Sequence, residues 1–142
     1  MPTESQASGS EPGEPDVPER WSTIADDRGG NDVIAQFNGR QTNLHRLWDG
    51  DLIDHVHPNA TALYKPVQAA LQSATWQAWA DGGPAGWALE THRVALEAVY
   101  LFPDSRVIDE RYVEKALPVI REQLAKAAVR LAGVLNQALG KD

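Results

Sequence analysis

The residues best placed to do chemistry stand in the stretch Asn43-Leu44-His45-Arg46-Leu47-Trp48-Asp49. His45 and Asp49 are four residues apart. On a helix that spacing puts both side chains on one face, about 5–6 Å apart at Cβ. An imidazole nitrogen and a carboxylate oxygen can then meet one metal ion. Both ligand types suit zinc, with bonds of about 2.0–2.2 Å. The same spacing more often serves a hydrogen-bonded His–Asp pair or two solvated side chains, because zinc asks for three or four protein ligands. Asn43 is a favoured N-cap for a helix that starts at Leu44. Leu44, Leu47 and Trp48 would hold that turn against a core.

The elements that must position this pair can be read on either side of it. Val33 to Phe37 alternates weakly, and Asn38-Gly39 is a strong two-residue hairpin signal. The pattern predicts a short β-hairpin from about Val33 to Asn43, leading directly into a helix over about Leu44–Asp54. Gly29-Gly30-Asn31 predicts a tight turn before the hairpin, with backbone at positive φ. His55 and His57 follow the helix, where two solvated histidines are expected rather than a metal site. A second helix lies within Ala60–Ala80, with Leu63, Val67, Leu71, Ala74 and Ala78 on one stripe. Pro66 either kinks it or marks its first turn, and Trp76 and Trp79 read as packing residues.

Asp81-Gly82-Gly83-Pro84 is a break. A third helix is expected over about Ala85–Leu101, with Trp87, Thr91, Val94, Ala95 and Ala98 as its apolar stripe. A last helical stretch runs from Asp109 to about Leu139, with Tyr112, Ala116, Ile120, Leu124, Ala127, Leu131, Leu135 and Ala138 in phase as core. Pro118 should break or kink it near Leu117, and Gly140 suits its C-terminus. The fold class is therefore mainly α: a bundle of four or five helices with one short β-hairpin near the N-terminal side.

The chain has 142 residues, enough for one core, and 42% of them are hydrophobic. Residues 1 to about 20 carry four prolines and acidic residues but almost no large apolar side chain, so disorder is expected there. That stretch reads as an acidic tail or, preferably, as chance sequence from a mis-set start. No run approaches 18 apolar residues, so no membrane span is expected. The formal net charge of −7 argues against a broad electrostatic grip on phosphates. No cysteine is present, which leaves the compartment open. The sequence shows no internal repeat, no Gly-rich phosphate loop and no Ser or Cys nucleophile constellation.

The order Gly29-Gly30-Asn31, Phe37-Asn38-Gly39, then Thr42-Asn43-Leu44-His45 with Trp48-Asp49, resembles the zinc-dependent single-strand nucleases of the S-one/P-one family. Trp87-Ala88-Leu89-Glu90-Thr91 resembles that family's W-A-x-E-S/T motif. Leu117 to Leu124, Arg130-Leu131-Ala132 and Leu135-Asn136 resemble its closing helix. The resemblance runs from about Ala25 to the C-terminus, so residues 1–24 read as a disordered non-family segment and 25–142 as the C-terminal part of such a domain.

The resemblance implies a phosphodiesterase acting on single-stranded DNA or RNA with three zinc ions, held by an N-terminal Trp and several His and Asp. His45 and Asp49 fall on the family's pair of ligands to one outlying zinc, with Asn43 and Trp48 as the residues that orient them. Arg28, with Gly29, Gly30 and Asn31, falls where family backbone helps line a nucleobase pocket. Most other ligands lie upstream, in an H-x-x-G-D-x-H-Q-P-L-H-like segment. Asp16-Val17-Pro18-Glu19-Arg20-Trp21-Ser22 stands in that place here, and no histidine precedes His45.

At most one partial zinc site is thus expected, in a chain inactive alone. A non-catalytic helical remnant is the alternative, and a zinc-type phospholipase C, which shares the fold and metal arrangement, is the nearby one. A missing N-terminal half, or self-association through an exposed apolar face, would be the partner. Family members are typically exported, whereas no basic and apolar leader pattern opens this chain.

Overall fold

The computed structural model describes residues 27–73 and 76–140. The expectations for the first 20 residues, for Trp21 and Ser22, and for Ala74 lie outside the described residues.

The hairpin pairs β1 (Ile34–Phe37) with β2 (Arg40–Asn43), antiparallel, with Ile34 opposite Asn43 and Phe37 opposite Arg40. Asn38 and Gly39 both take left-handed backbone, φ 50° and 73°. Two such residues make the turn whose twist matches the strands. Ala35 and Phe37 turn inward while Ile34 and Gln36 turn out, as the two-residue period requires. A distant segment docks on the outer edge. Gln36 N–H donates to the Arg106 carbonyl and Ile108 N–H to the Gln36 carbonyl, both at 2.8 Å, which seats Ile108 in the core.

Asn43 ends the hairpin and starts the first helix. Its backbone is extended and its Oδ1 accepts the Arg46 N–H at 2.8 Å. This helix, α1 (44–56), has three parts: an α turn Leu44–Arg46, a π turn Leu47–Asp51 and an α segment Leu52–Val56. In the π turn the Leu52 N–H reaches the Leu47 carbonyl five residues back. The extra residue decides what faces the core. A straight α-helix with Leu44 and Leu47 inward would also bury Asp51. The π turn passes that place to Leu52, so Leu44, Leu47 and Leu52 are all fully buried. Asp51 is released to accept the Thr42 hydroxyl at 2.6 Å. Each of these leucines contributes about 1.5–3 kcal/mol by burial.

The remaining helices are α2 (Ala60–Ser73), α3 (Gly83–Val94) and α4 (Glu110–Leu139). Asn59 caps α2, accepting the Ala62 N–H at 2.9 Å, and Pro66 lies inside that helix rather than at its first turn. A 3-10 turn, Trp76–Ala80, leads to Gly82 and Gly83, both at positive φ, and Pro84 falls in the first turn of α3. The helix continues past Val94 as a second π turn, Ala95–Val99, closed by the Tyr100 N–H on the Ala95 carbonyl. Asp109 caps α4 through the Tyr112 N–H at 2.9 Å. Of the break or kink expected at Pro118, the break does not occur: α4 runs through it as one helix. Proline removes one N–H, and the carbonyl it orphans belongs to exposed Glu114, within reach of water.

The core joins the hairpin's inner face, α1 and the first half of α4: Ala35, Phe37, Leu44, Leu47, Leu52, Ile108, Tyr112, Val113, Ala116 and Ile120. The expected apolar stripe of α4 is core only that far. Beyond Ile120 only Ala125 is buried, and Leu131, Leu135 and Leu139 are exposed by 60%, 46% and 79%. Neither α3 nor its π extension contains a fully buried residue.

What fastens α3 to α4 is ionic. Glu90 accepts from Lys126 at 2.6 Å and from Arg130, and Lys126 also pairs with Glu122. Arg130 reaches the Trp79 carbonyl at 3.0 Å and stacks over the Trp87 ring, whose own N–H donates to the Asp81 carbonyl. The Trp and Glu of the W-A-x-E-T stretch are thus a clamp on the 3-10 turn and α4. Among the described residues, no helix is long and apolar enough to cross a membrane.

Candidate metal centre

His45 and Asp49 project from the same face of α1, at the point where its α turn passes into the π turn. His45 Nε2 and Asp49 Oδ2 stand 3.1 Å apart, both side chains well exposed. The other ring nitrogen, Nδ1, lies 3.1 Å from the Gly29 carbonyl oxygen. A carbonyl only accepts, so Nδ1 carries a proton there. In the neutral imidazole Nε2 then presents a lone pair to an ionised carboxylate that is also acceptor-only. Two acceptors at this distance need a cation between them, either a proton on Nε2 or a metal ion. A tetrahedral ion with bonds of about 2.0–2.2 Å holds its ligand atoms roughly 3.3–3.6 Å apart. The pair is close to that separation as it stands. Orientation of a ligating histidine through its other ring nitrogen is the usual arrangement at metal sites.

The Gly29 carbonyl is placed by a turn that only small residues fill. Arg28, Gly29 and Gly30 have φ of 53°, 68° and 86° in succession. A Cβ on Gly30 would meet the His45 backbone nitrogen at 3.1 Å and Leu44 Cβ at 3.3 Å, so this glycine permits the loop to touch the start of α1. Asp27, only 8% exposed, holds the turn from inside: its Oδ1 accepts the Gly30 N–H at 2.9 Å and its Oδ2 the Tyr100 hydroxyl at 2.7 Å. Burial first, and then the Asp27 carboxylate, raise the Tyr100 pKa well above the usual phenol value, so Tyr100 remains a donor.

The second flank of the pair is Trp48. Its Nε1 donates to the Tyr112 hydroxyl at 2.8 Å, and that hydroxyl donates to the Val99 carbonyl at 2.7 Å. Burial pushes the Tyr112 pKa up to about 12, with the Trp48 bond acting the other way. The two tyrosines therefore tie both flanks of the His45–Asp49 pair to the end of the second π turn. Between them opens a cleft of about 750 Å3, with Gly29, Gly30, His45 and Asp49 on one wall and Thr91, His92, Leu96 and Tyr100 on the other. Both π turns border it, and such turns recur at functional sites.

The S1/P1 Nuclease family model matches residues 20–140. The chain belongs to this nuclease family. It is 27% identical over 134 residues to Endonuclease 2 of Arabidopsis thaliana, covering 83% of this chain and 46% of that protein. It is 27% identical over 128 residues to Endonuclease 5 of the same plant, covering 78% and 43%. Nuclease S1 of Aspergillus oryzae is 26% identical over 129 residues, covering 76% and 45%. The chain spans less than half the length of these relatives.

Within this family member, the structure brings some expected site residues together and parts others. His45, Asp49, Trp48, Gly29 and Gly30 all border one cleft, and Asn43 caps the helix that carries the pair. Arg28 and Asn31 are not among the residues lining it. Arg28 is exposed and forks onto Asp32, with Nε 2.9 Å from Oδ2, while Asn31 donates to the Arg28 carbonyl. His57 departs from expectation. It is buried, not solvated, and accepts from Arg121 at 3.2 Å, whereas His55 is exposed beside Asn38. Burial first, then the Arg121 charge, lower the His57 pKa.

The sequence reading missed Asp27, Tyr100 and Tyr112 as supports of the pair. Only Asp27 had a local signal, an acidic residue two positions before Gly-Gly. Among the described residues, no group of three or more His, Cys, Asp or Glu could hold a metal ion.

Proposed function

We propose that this chain is the C-terminal part of a zinc-dependent nuclease that hydrolyses phosphodiester bonds of single-stranded DNA or RNA. In this reading His45 and Asp49 are two ligands of one zinc ion. The observation that carries it is the paired acceptors, Nε2 and Oδ2 at 3.1 Å, with the opposite ring nitrogen fixed on a carbonyl, in a chain of this family. His45 would bind as neutral imidazole through Nε2, and Asp49 as carboxylate through Oδ2. Bound zinc supplies a water of lowered pKa and polarises a phosphoryl oxygen. The chain's own part is to orient the pair. Asn43 fixes the first turn of α1, Trp48 anchors the next, and Gly29 sets the ring. Gly29, where a Cβ would meet nothing within 4 Å, leaves the cleft wall beside the pair free of a side chain, so a substrate can approach backbone there.

Two protein ligands fill half of a tetrahedral shell. That favours a second reading, in which the chain alone is a helical module with one weak zinc site. Incubation of the pure chain with single-stranded DNA and excess zinc tests whether the chain alone forms a working centre. No cleavage is expected from the chain alone. Cleavage that is present in the parent and lost in His45→Ala would show a working centre and overturn the two-ligand view.

A further inference from the structure

The carbonyl that holds the His45 ring belongs to a peptide unit gripped at both ends. Its oxygen, on Gly29, accepts from His45 Nδ1 at 3.1 Å. Its N–H, on Gly30, donates to Asp27 Oδ1 at 2.9 Å. The unit is planar, so tilting one end moves the other. Both residues around it are glycines at positive φ, with no Cβ to resist that tilt. Asp27 Oδ2 is occupied by the hydroxyl of Tyr100, 73 residues away in sequence.

We propose that Tyr100 is a positioning residue for the metal ligand His45, acting through Asp27 and the Gly29–Gly30 peptide. The inference rests on the reading of His45 and Asp49 as metal ligands. Without the Tyr100 hydroxyl, a nearly buried carboxylate loses one of the two donors it has among the described residues. An unsatisfied buried acceptor is costly, so Asp27 turns toward water, Oδ1 leaves the Gly30 N–H, and the peptide swings. The Gly29 carbonyl then no longer selects the tautomer that leaves Nε2 free. Tyr100 also closes the second π turn, through its N–H on the Ala95 carbonyl.

The test combines the ring tautomer of His45, read by nitrogen NMR on the zinc-saturated chain at about pH 8, above the ordinary histidine range, with zinc calorimetry on the same variants. The parent shows a fixed Nδ1–H tautomer. In Tyr100→Phe that tautomer gives way to a mixture, and zinc affinity falls about 10–100-fold, the usual effect of losing a partner behind a metal ligand. Asp27→Ala removes the same link without leaving a buried charge and shows the same two losses. The double variant is no worse than Asp27→Ala alone, because both act through one path. Ile108→Val, a core change away from the loop, lowers the melting temperature but alters neither readout.

A folded Tyr100→Phe chain with the parental tautomer and zinc affinity overturns the proposal. If Tyr100→Phe melts before it can be measured, Asp27→Ala decides by the same criterion. If His45→Ala leaves the parent's zinc isotherm unchanged, the metal reading falls. The tautomer in Tyr100→Phe then decides the positioning claim by itself.

Discussion

At the scale of single residues, position is set by small polar groups. Asn43 is the clearest case, because its side chain makes the first helical hydrogen bond of the segment that carries His45 and Asp49. Asn43→Ala is expected to lower stability by about 0.5–2 kcal/mol, measured by urea unfolding, and to weaken zinc binding with it. A second prediction concerns His57. Its folded pKa lies below the ordinary 6.5, through burial first and Arg121 next. A depressed histidine favours the neutral form, so its contribution is held above about pH 6.5 and lost as pH falls below it. Protonation would set two cations side by side against α4. Melting temperatures followed from pH 7 to pH 5 should fall more steeply in the parent than in His57→Gln. Parallel curves would show that His57 does not sense pH.

At the scale of elements, helices were legible from spacing, but their irregularities were not. The turn Asn38-Gly39 and the cap Asn43 announce the hairpin and α1, because each is a local requirement of backbone geometry. The π turn at Leu47–Asp51 has no local signature. It follows from a conflict between Leu47, Asp51 and Leu52 that only the buried neighbours resolve. The links from Asp27 to Tyr100 and from Trp48 to Tyr112 span 73 and 64 residues, and no periodicity marks such pairs. Glu90 shows the opposite case. It stands in a short motif visible in the sequence, and it clamps α3 to Lys126 and Arg130, whose side chains are only 13% and 11% exposed.

The Lys126 hydrogen bond first, and Arg130 with it, lower the Glu90 pKa against the opposing effect of burial. A depressed carboxylate stabilises above its unfolded value near 4.5 and ceases to do so as pH falls through the folded value. Glu90→Gln, which leaves two largely buried cations short of a partner, should cost about 1–3 kcal/mol at neutral pH. The difference from the parent should shrink below about pH 4. A gap of constant size across that range would contradict the ionic account.

At the scale of the whole molecule, the apolar surface is unevenly spent. The first half of α4 packs on the hairpin and α1, while its second half leaves Leu131, Val134, Leu135 and Leu139 largely exposed, with Leu89 of α3 exposed as well. Trp87 and Val94 are only half-buried. Contiguous exposed apolar area of this kind marks an interaction surface or an aggregation liability. Net stability of even a complete domain is about 5–15 kcal/mol, so several wet leucines remove much of the margin. The chain is expected to bind an apolar-surface dye and to melt early or associate. A monomer that melts cooperatively above about 60 °C and stays dark with the dye would show that the present packing is sufficient.

The measurement that bears most directly on the centre is a zinc titration of the metal-free chain by calorimetry, beside His45→Ala and Asp49→Ala. The account predicts one weak zinc site in the parent, lost or weakened at least about tenfold in each variant, as expected for a directly ligating residue. Superimposable isotherms for parent and variants, or no zinc uptake by the parent, would contradict it.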